Sequence, residues 1–433
     1  MTDVNTYPAL VELLTTRISS LEKGVPKDFV LSEAGAQGWN LLHGDLPLPL
    51  ALLKRSSLEQ NGQWMRRFTE AFNVKLAPHG KTTMSPQLFA AQLGNGAWGL
   101  TAASVDHVRI YRKFGCRRIL MANQLIGKRN ISWIIEELDS DPEFEFFCLV
   151  DSPNGADILQ RQIEEESPKQ KIKVLIELGV PGGRTGVRSD TAALELAQKI
   201  HTGHPNLLLS GIECYEGVLP ATEDRETHVA NLFKRVVKVA EACIDANYFR
   251  KDQIIVSGAG SEYYDLASRV FAASRYADRF DSVIRSGCYI SQDHLFYQRA
   301  FDRLLARDAD AADIPGRLSP ALEVWGSVLS LPEPGLAVFS VGKRDVSFDF
   351  EMPKPMLWYR QGSHHYPQEL SGHTVSRLND QHAYCKVPDD SPLAVGDMVA
   401  LGVAHPCTTF DKWRNIFIVD DSYAVVDAIR TFF

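Results

Sequence analysis

The chain has 433 residues, 45% of them hydrophobic and 23% charged, which is longer than one average domain and predicts two domains. With 46 basic and 54 acidic residues the net charge is −8, and the basic residues form no block. This balance argues against nucleic acid or an anionic membrane as the partner. The N-terminal stretch to Lys23 lacks signal-peptide features, and no apolar run is long enough to span a bilayer, so we expect a soluble, cytoplasmic protein.

The seven cysteines are scattered along the chain and include no C-x-x-C pair. An odd number without close pairs predicts neither a disulfide framework nor a structural zinc cluster. We expect most of them to be small buried side chains. Cys407 has a distinctive context, which is considered below.

Three regions follow one another along the chain. Residues 1–45 predict one or two helices that pack on the C-terminal domain. Residues 46–294 contain eight short β-rich runs that alternate with helical patterns, and residues 295–433 read as short strands separated by Gly, Pro and Asp turns, as in an all-β domain. The eight runs are "VKLAPHG", "GLTAAS", "RILMANQ", "FFCLVDS", "KVLIELG", "LLLSGIECYEG", "QIIVSGAG" and "SVIRSGCYI".

Eight strands, all but the last followed by a helix, are what a (β/α)8 barrel requires. A doubly wound open sheet is the alternative, because strand order cannot be read from the sequence. In a barrel the chemistry lies at the carboxyl ends of the strands. The polar residues found there are His79 and Lys81 after the first strand, Arg184 after the fifth, Tyr215 at the sixth, Ser257, Gly258 and Gly260 at the seventh, and Arg285, Gly287 and Cys288 at the eighth.

Each of these residues, taken alone, has an ordinary structural explanation. Lys81 is of a type that is usually solvated at the surface, Arg184 could cap a helix, and "SGAGS" is a weak glycine motif. Together they suit pyridoxal phosphate, which needs a lysine for a Schiff base, amides for its phosphate, and partners for its ring nitrogen and phenolic oxygen.

The motifs "PHGKTT", "ELGVPGGRTGV", "GIECYEG", "SGAGS" and "IRSGCYI" resemble those of the alanine-racemase-like (fold-type III) pyridoxal phosphate enzymes. Over about residues 45–433 the chain is most similar to their D-serine dehydratase and D-threonine aldolase branch, and within it to D-serine dehydratase (D-serine deaminase). The resemblance implies a pyridoxal phosphate barrel followed by a β domain.

The resemblance also assigns roles to the residues at the strand ends. Lys81 would form the Schiff base, with His79 beside it among the cofactor-binding residues, Arg184 would contact the phenolic oxygen, and Tyr215 would lie against the ring. Arg285 would face the pyridine nitrogen. The phosphate would be held, largely through backbone amides, by Ser257, Gly258, Gly260, Gly287 and Cys288. The family often follows the lysine with Thr-His, whereas this chain has Thr82-Thr83-Met84, which leaves the role of Thr83 open.

A second motif, "GVAHPCTTFDKW", places His405 and Cys407 two residues apart. In an extended segment this spacing puts both side chains on one face, and Pro406 favours an edge or a loop. A buried cysteine beside a histidine is the ordinary explanation. The pair nevertheless resembles the metal site of D-serine dehydratases, and an imidazole with a thiolate favours Zn²⁺.

The D-threonine aldolases of the branch instead carry an aspartate at the second ligand position, which suits Mn²⁺ or Mg²⁺. Cys407 therefore points to a dehydratase. His382, in "NDQHAY", also falls where the branch tends to have a histidine.

These features predict a pyridoxal phosphate- and zinc-dependent dehydratase of D-serine or a related D-β-hydroxy amino acid, giving a keto acid and ammonia. Lys81 would remove the α-proton, and zinc on His405 and Cys407 would activate the β-hydroxyl. Arg285 cannot accept a proton, so the pyridine would stay neutral and metal assistance would matter more.

The alternatives are a metal-dependent D-threonine aldolase, an amino-acid racemase, and a non-catalytic pyridoxal phosphate-binding protein. The resemblance also implies a homodimer.

Overall fold

The computed structural model describes residues 8–166, 169–363 and 365–433. Within them the α-helices are α1 (Pro8–Leu14), α2 (Arg55–Ala71), α3 (Pro86–Gly94), α4 (Val105–Lys113), α5 (Lys128–Ser140), α6 (Pro153–Glu166), α7 (Asp190–Gly203), α8 (Arg225–Asp245), α9 (Tyr264–Ala272), α10 (Phe296–Arg307), α11 (Ala309–Ala312) and α12 (Cys407–Phe410). No helix of this described part is both long and apolar enough to cross a membrane.

The strands of the first half are β1 (Arg17–Ile18), β2 (Phe29–Val30), β3 (Leu50–Lys54), β4 (Lys75–Leu76), β5 (Leu100–Ala102), β6 (Arg118–Gln124), β7 (Glu145–Val150), β8 (Ile172–Leu178), β9 (Leu207–Cys214), β10 (Ile254–Gly258) and β11 (Phe280–Ile284). Those of the second half are β12 (Leu322–Glu333), β13 (Leu336–Phe339), β14 (Lys354–Tyr359), β15 (Gln368–Glu369), β16 (Thr374–Leu378), β17 (Ala383–Lys386), β18 (Met398–Gly402), β19 (Asn415–Val419) and β20 (Val425–Arg430).

Contacts between residues divide the chain into two units. The barrel unit comprises residues 66–81 and 96–287. The β-rich unit comprises the described residues up to 65 together with 82–95 and 288–433.

The barrel unit is built on parallel strands. In the described residues eight of them are hydrogen-bonded in the order β4-β11-β10-β9-β8-β7-β6-β5, and a parallel bridge between His79 and Thr101 joins the two ends of this sheet. The strand order follows the chain order, as in a closed barrel, and does not reverse as in a doubly wound sheet. The predicted barrel and its eight predicted strands are confirmed.

Apolar side chains from successive strands fill the barrel interior. The strands carry mostly Ile, Leu, Val and Phe, which suit strands whose two faces are both covered. The buried cluster in the interior consists of Ala77, Leu120, Phe147, Leu149, Leu175, Ile255 and Val283, with Trp98 and Ala122 packed against it. This packed core leaves the carboxyl ends of the strands as the place for polar chemistry.

The β-rich unit contains a mainly antiparallel sheet. In the described residues its order is β15-β14-β18-β12-β13-β17-β16, and β3 extends it by pairing with β12 and with β19, which pairs with β20. The predicted C-terminal β domain is confirmed. A buried carboxylate links side chains of its core, since Glu323 accepts hydrogen bonds from Trp325 Nε1 at 2.8 Å and from the Tyr423 hydroxyl at 3.2 Å.

Within the barrel, Gly211 of β9 lies opposite Ile255 of β10. A Cβ atom added there would lie 2.1 Å from the Ile255 carbonyl oxygen, a backbone atom that cannot move without disturbing the sheet. We predict that Gly211→Ala lowers the free energy of unfolding by about 1–3 kcal/mol, as overpacking typically does. Urea unfolding measures this change.

The control is Gly203→Ala at the end of α7, where a Cβ atom meets nothing within 4 Å. This substitution should leave stability within about 0.5 kcal/mol of the unmodified protein. Equal effects of the two substitutions would contradict the close approach of β9 and β10.

Candidate functional site

Lys81 stands in a tight turn just after β4. The backbone before it is fixed because the Ala77 N–H donates to the Ile284 carbonyl at 2.9 Å and the Thr101 hydroxyl donates to the Ala77 carbonyl at 2.6 Å. The preceding residue must be glycine, since a Cβ atom on Gly80 would lie 2.6 Å from the Tyr111 ring. The side chain of Lys81 is exposed at the carboxyl end of the barrel strands, where the sequence predicted it.

Arg285 is the buried cation of this end of the barrel. Its guanidinium forms an ion pair with Glu213 on β9 and donates through Nη2 to the Cys214 carbonyl at 2.8 Å. The guanidinium and the carboxylate are only 2% and 1% exposed. Arg285 Nε is buried and has no hydrogen-bond partner among the described residues. A buried N–H donor is therefore available for a ligand acceptor.

Glu213 was missed by the sequence analysis, which read "GIECYEG" only for its tyrosine. Burial raises the pKa of Glu213 to about 7, while the positive charge of Arg285 opposes the rise. The arginine itself stays protonated at any physiological pH. The ion pair thus holds a permanent cation in place where β9 and β11 end.

Several cationic side chains lie near His79 at the strand ends. The pKa of His79 lies well below its ordinary value because the ring is buried and because Lys81, Arg285, His107 and Arg184 are near it. His79 is therefore neutral, and its buried Nδ1 has no partner among the described residues. Cations around a neutral imidazole provide a suitable place for an anionic cofactor.

The "SGAGS" turn after β10 is tightly bonded. The Ser257 hydroxyl donates a hydrogen bond to the Val283 carbonyl at 2.9 Å. Ala259 adopts a left-handed conformation at φ +59°, and its carbonyl accepts a hydrogen bond from the backbone N–H of Arg285. The Gly260 N–H donates to Glu216 Oε1 at 2.7 Å. The amide that we predicted for a phosphate is thus held by a carboxylate in this structure, so that a phosphate would have to replace Glu216 there.

Arg184 and Tyr215 lie together in the same unit. The guanidinium of Arg184 is exposed and sits 5.1 Å from the centre of the Tyr215 ring, in cation–π contact. The loop that carries Arg184 is held by Arg188, whose guanidinium donates to the carbonyls of Gly183, Arg184, Thr185 and Gly186. This role of Arg188 could not be predicted from the sequence.

In the β-rich unit the structure brings His405 and Cys407 together, but not as predicted. The extended geometry is wrong, because Pro406 is α-helical at φ −57° and ψ −42° and Cys407 begins the short helix α12. The two side chains still form a hydrogen bond with each other. The contact arises from the turn and not from an extended strand face.

Neighbouring residues orient the imidazole of His405. Its Nδ1 lies 2.6 Å from Oδ2 of Asp349. The other carboxylate oxygen of Asp349 accepts a hydrogen bond from the Thr408 hydroxyl at 2.9 Å. The Phe350 ring stacks on the imidazole, with the two ring centres 4.1 Å apart. A histidine fixed in this way by a carboxylate is typical of metal ligands.

Cys407 has thiolate character. Its hydrogen bonds with Cys288 and His405, together with the His405 charge, lower the pKa of the Cys407 thiol well below its ordinary value against the effect of burial. The thiolate is the form of cysteine that binds metals. Within the described residues, however, no set of three or more His, Cys, Asp or Glu side chains is arranged as a metal site.

The remaining predicted positions of this unit lie elsewhere or are engaged locally. His382 is exposed and contributes its carbonyl to the turn between β16 and β17, where it accepts the Asn379 N–H at 2.9 Å. Thr83 is buried and its hydroxyl accepts the Ser85 N–H, while Met84 is buried with φ +42°.

The residues present fit the predicted groups. Arg285 Nε, which has no partner among the described residues, suits the ring nitrogen of pyridoxal phosphate, whereas the Gly260 amide predicted for its phosphate is bound to Glu216. The hydrogen-bonded imidazole and thiol of His405 and Cys407 are the ligand types that zinc prefers.

The fold defines the class of protein. The chain superposes on D-threonine aldolase from Filomicrobium marinum with a TM-score of 0.72 at 20% identity, covering 91% of this chain and 97% of the other. It superposes on D-threo-3-hydroxyaspartate dehydratase from Delftia sp. HT23 with a TM-score of 0.68 at 19% identity, covering 91% and 99%. An ala racemase-like protein from Idiomarina loihiensis gives a TM-score of 0.67 at 16% identity, covering 89% and 96%. The fold is the alanine-racemase-like barrel with a β domain.

The sequence comparisons find relatives in the predicted branch. Residues 321–419 match the family described as "Putative serine dehydratase domain". The chain is 23% identical to D-threonine aldolase of Arthrobacter sp, over 86% of this chain and 89% of the relative. It is 24% identical to 3-hydroxy-D-aspartate aldolase of Paracoccus denitrificans over 71% and 75%, and 26% identical to D-threo-3-hydroxyaspartate dehydratase of Delftia sp. over 40% and 44%. The resemblance to this branch is confirmed, and the relatives are lyases.

The buried ion pair makes a stability prediction. Glu213→Ala should lower the free energy of unfolding by about 3–5 kcal/mol, because it leaves the Arg285 charge buried without its partner. Equilibrium urea unfolding measures the loss. The control is Glu70→Ala, which removes an exposed ion pair with Arg66 at 2.8 Å in the same unit and should cost no more than about 1 kcal/mol. A small loss for both substitutions would show that Arg285 does not depend on Glu213.

Proposed function

We propose that the protein is a pyridoxal phosphate- and zinc-dependent dehydratase of D-serine or a related D-β-hydroxy amino acid, releasing a keto acid and ammonia. The observation that carries this proposal is the contact between His405 and Cys407 inside the segment that matches the serine dehydratase family. The aldolases and dehydratases among the relatives act, by name, on threonine or hydroxyaspartate, which are β-hydroxy amino acids.

Lys81 is the residue proposed to hold the cofactor and to act as the base. When bound, pyridoxal phosphate supplies an electron sink for the substrate α-carbon, and zinc supplies a Lewis acid for the β-hydroxyl. The exposed Nζ of Lys81 can be reached by a small substrate, and it would take the α-proton. The neutral His79 and the nearby cations favour the binding of an anionic substrate carboxylate or cofactor phosphate.

Arg285 and Glu213 would set the electronic character of the cofactor site. Arg285 Nε can donate to a ring nitrogen but cannot deliver a proton to it at physiological pH. The Glu213 carboxylate holds the guanidinium in one orientation. Because the ring nitrogen would stay unprotonated, the cofactor would be a weaker electron sink. The departure of the β-hydroxyl would then depend more on the metal.

His405 and Cys407 would hold that metal. Asp349 keeps the imidazole oriented through Nδ1, which leaves Nε2 as the nitrogen that would bind zinc. One solved structure of the D-threo-3-hydroxyaspartate dehydratase, a cysteine mutant, is described as its metal-free form, which supports a metal in that relative. Thr82 and Cys288, which contact Cys407, directly follow Lys81 and Gly287 in the chain.

A D-threonine aldolase is the second candidate. It is favoured by the two relatives that cover 86% and 71% of this chain, since both are aldolases. The thiol of Cys407 favours the dehydratase, because a soft ligand suits zinc and a carboxylate suits harder ions. A cytoplasmic homodimer remains part of the proposal, and gel filtration with light scattering measures the oligomeric state.

The experiment is to incubate the full-length protein, supplied with pyridoxal phosphate and zinc, with D-serine, D-threonine and the matched control L-serine. The proposal predicts equal amounts of keto acid and ammonia from the D-enantiomers and none from L-serine. A chelator should abolish turnover, and added zinc should restore it. The products are identified by chromatography and an ammonia assay.

Other products would contradict the proposal in distinct ways. Glycine with an aldehyde identifies an aldolase. Interconversion of enantiomers that is insensitive to chelator identifies a racemase, and cofactor binding without any turnover identifies a non-catalytic protein.

A further inference from the structure

Two cysteines from distant parts of the β-rich unit lie side by side. Cys288 Sγ is 3.7 Å from Cys407 Sγ, although 119 residues separate them in the chain. Both thiols also contact the Thr82 hydroxyl, which lies 3.9 Å from Cys288 Sγ and 3.4 Å from Cys407 Sγ. Cys288 is 3% exposed, so its thiol is directed into the protein and not towards solvent.

The distance between the two sulfur atoms matches a shared metal ion. Two thiolates bound to one zinc at about 2.3 Å, with a tetrahedral angle of about 109°, lie about 3.8 Å apart. A disulfide would instead require a separation of about 2.05 Å. The sulfur atoms are therefore placed as two ligands of a common ion are placed.

His405 also interacts with Cys407. Its imidazole hydrogen-bonds to Cys407 while Nδ1 is engaged by Asp349. The Cys407 sulfur thus interacts with two further potential ligands, the Cys288 thiol and the His405 imidazole. Zinc sites that keep one position open for a substrate usually have three protein ligands, one more than His405 and Cys407 supply.

We propose that Cys288 is a third protein ligand, so that zinc is bound by Cys288, His405 and Cys407 with a fourth position open for the substrate hydroxyl. This inference rests on the proposed function. It requires the imidazole and the two sulfur atoms to close around the ion, since the three groups are not yet arranged as a site in the described residues.

The test measures zinc binding by the full-length protein without substrate. Zinc alone is titrated into the metal-free protein in competition with a chromophoric chelator, for the unmodified protein and for Cys288→Ser, Cys407→Ser and Cys385→Ser. Loss of a ligand should weaken zinc binding by at least about 100-fold in the first two variants. Even substitution of a residue that only hydrogen-bonds a metal ligand typically lowers metal affinity about 10–100-fold. Cys385, a buried free cysteine of β17 in the same unit, is the matched control and should have no effect.

X-ray absorption at the zinc edge counts the sulfur ligands in the unmodified protein and so does not depend on any variant folding. Two sulfur atoms are expected there, and one in Cys288→Ser. One sulfur atom in the unmodified protein, with unchanged affinity in Cys288→Ser, would overturn the third ligand but leave the His405 and Cys407 site of the proposed function intact. Unchanged affinity in Cys407→Ser would overturn both.

Discussion

The ion pair between Arg285 and Glu213 is the interaction on which the barrel site depends. Removing two charges from water is costly, and a buried pair contributes to stability only when its geometry and hydrogen bonds are good. Here the guanidinium also binds the Cys214 carbonyl, which ties the end of β11 to the end of β9. Within the described part of the chain the Arg285 Nε–H has no partner, so the pair holds a donor for an acceptor that is not part of the protein.

The surroundings of this pair follow from the same constraint. A permanent cation lowers the cost of a nearby anion, so the strand ends can accept a phosphate and a carboxylate. The opposing carboxylates, Glu213 and Glu216, limit that positive field and hold the arginine and the "SGAGS" turn in place. The β-rich unit carries an imidazole and a thiol in contact, His405 and Cys407, which are the groups that the proposed function assigns to a soft metal ion.

Much of the fold and part of the site could be predicted from the sequence. The strands were predictable because runs such as "FFCLVDS" carry consecutive buried apolar residues, and Arg285 was predictable because it directly follows such a run. Glu213 was not, since a single glutamate inside an apolar strand does not reveal its partner 72 residues away. The pairing of β3 with β12 and β19 could not be predicted either, because the sequence of a short apolar strand does not indicate which of the two units it belongs to. The contact between Cys288 and Cys407 depends on tertiary packing alone.

The central claim is that the residues at the ends of β4, β9, β10 and β11 bind pyridoxal phosphate through Lys81. The most direct measurement is to add pyridoxal phosphate to the protein, reduce the complex with borohydride, digest it and locate the modified lysine by mass spectrometry. A single modification at Lys81 is expected, with a stoichiometry of one per chain. Modification spread over exposed lysines such as Lys128 or Lys169, with none at Lys81, would contradict the claim.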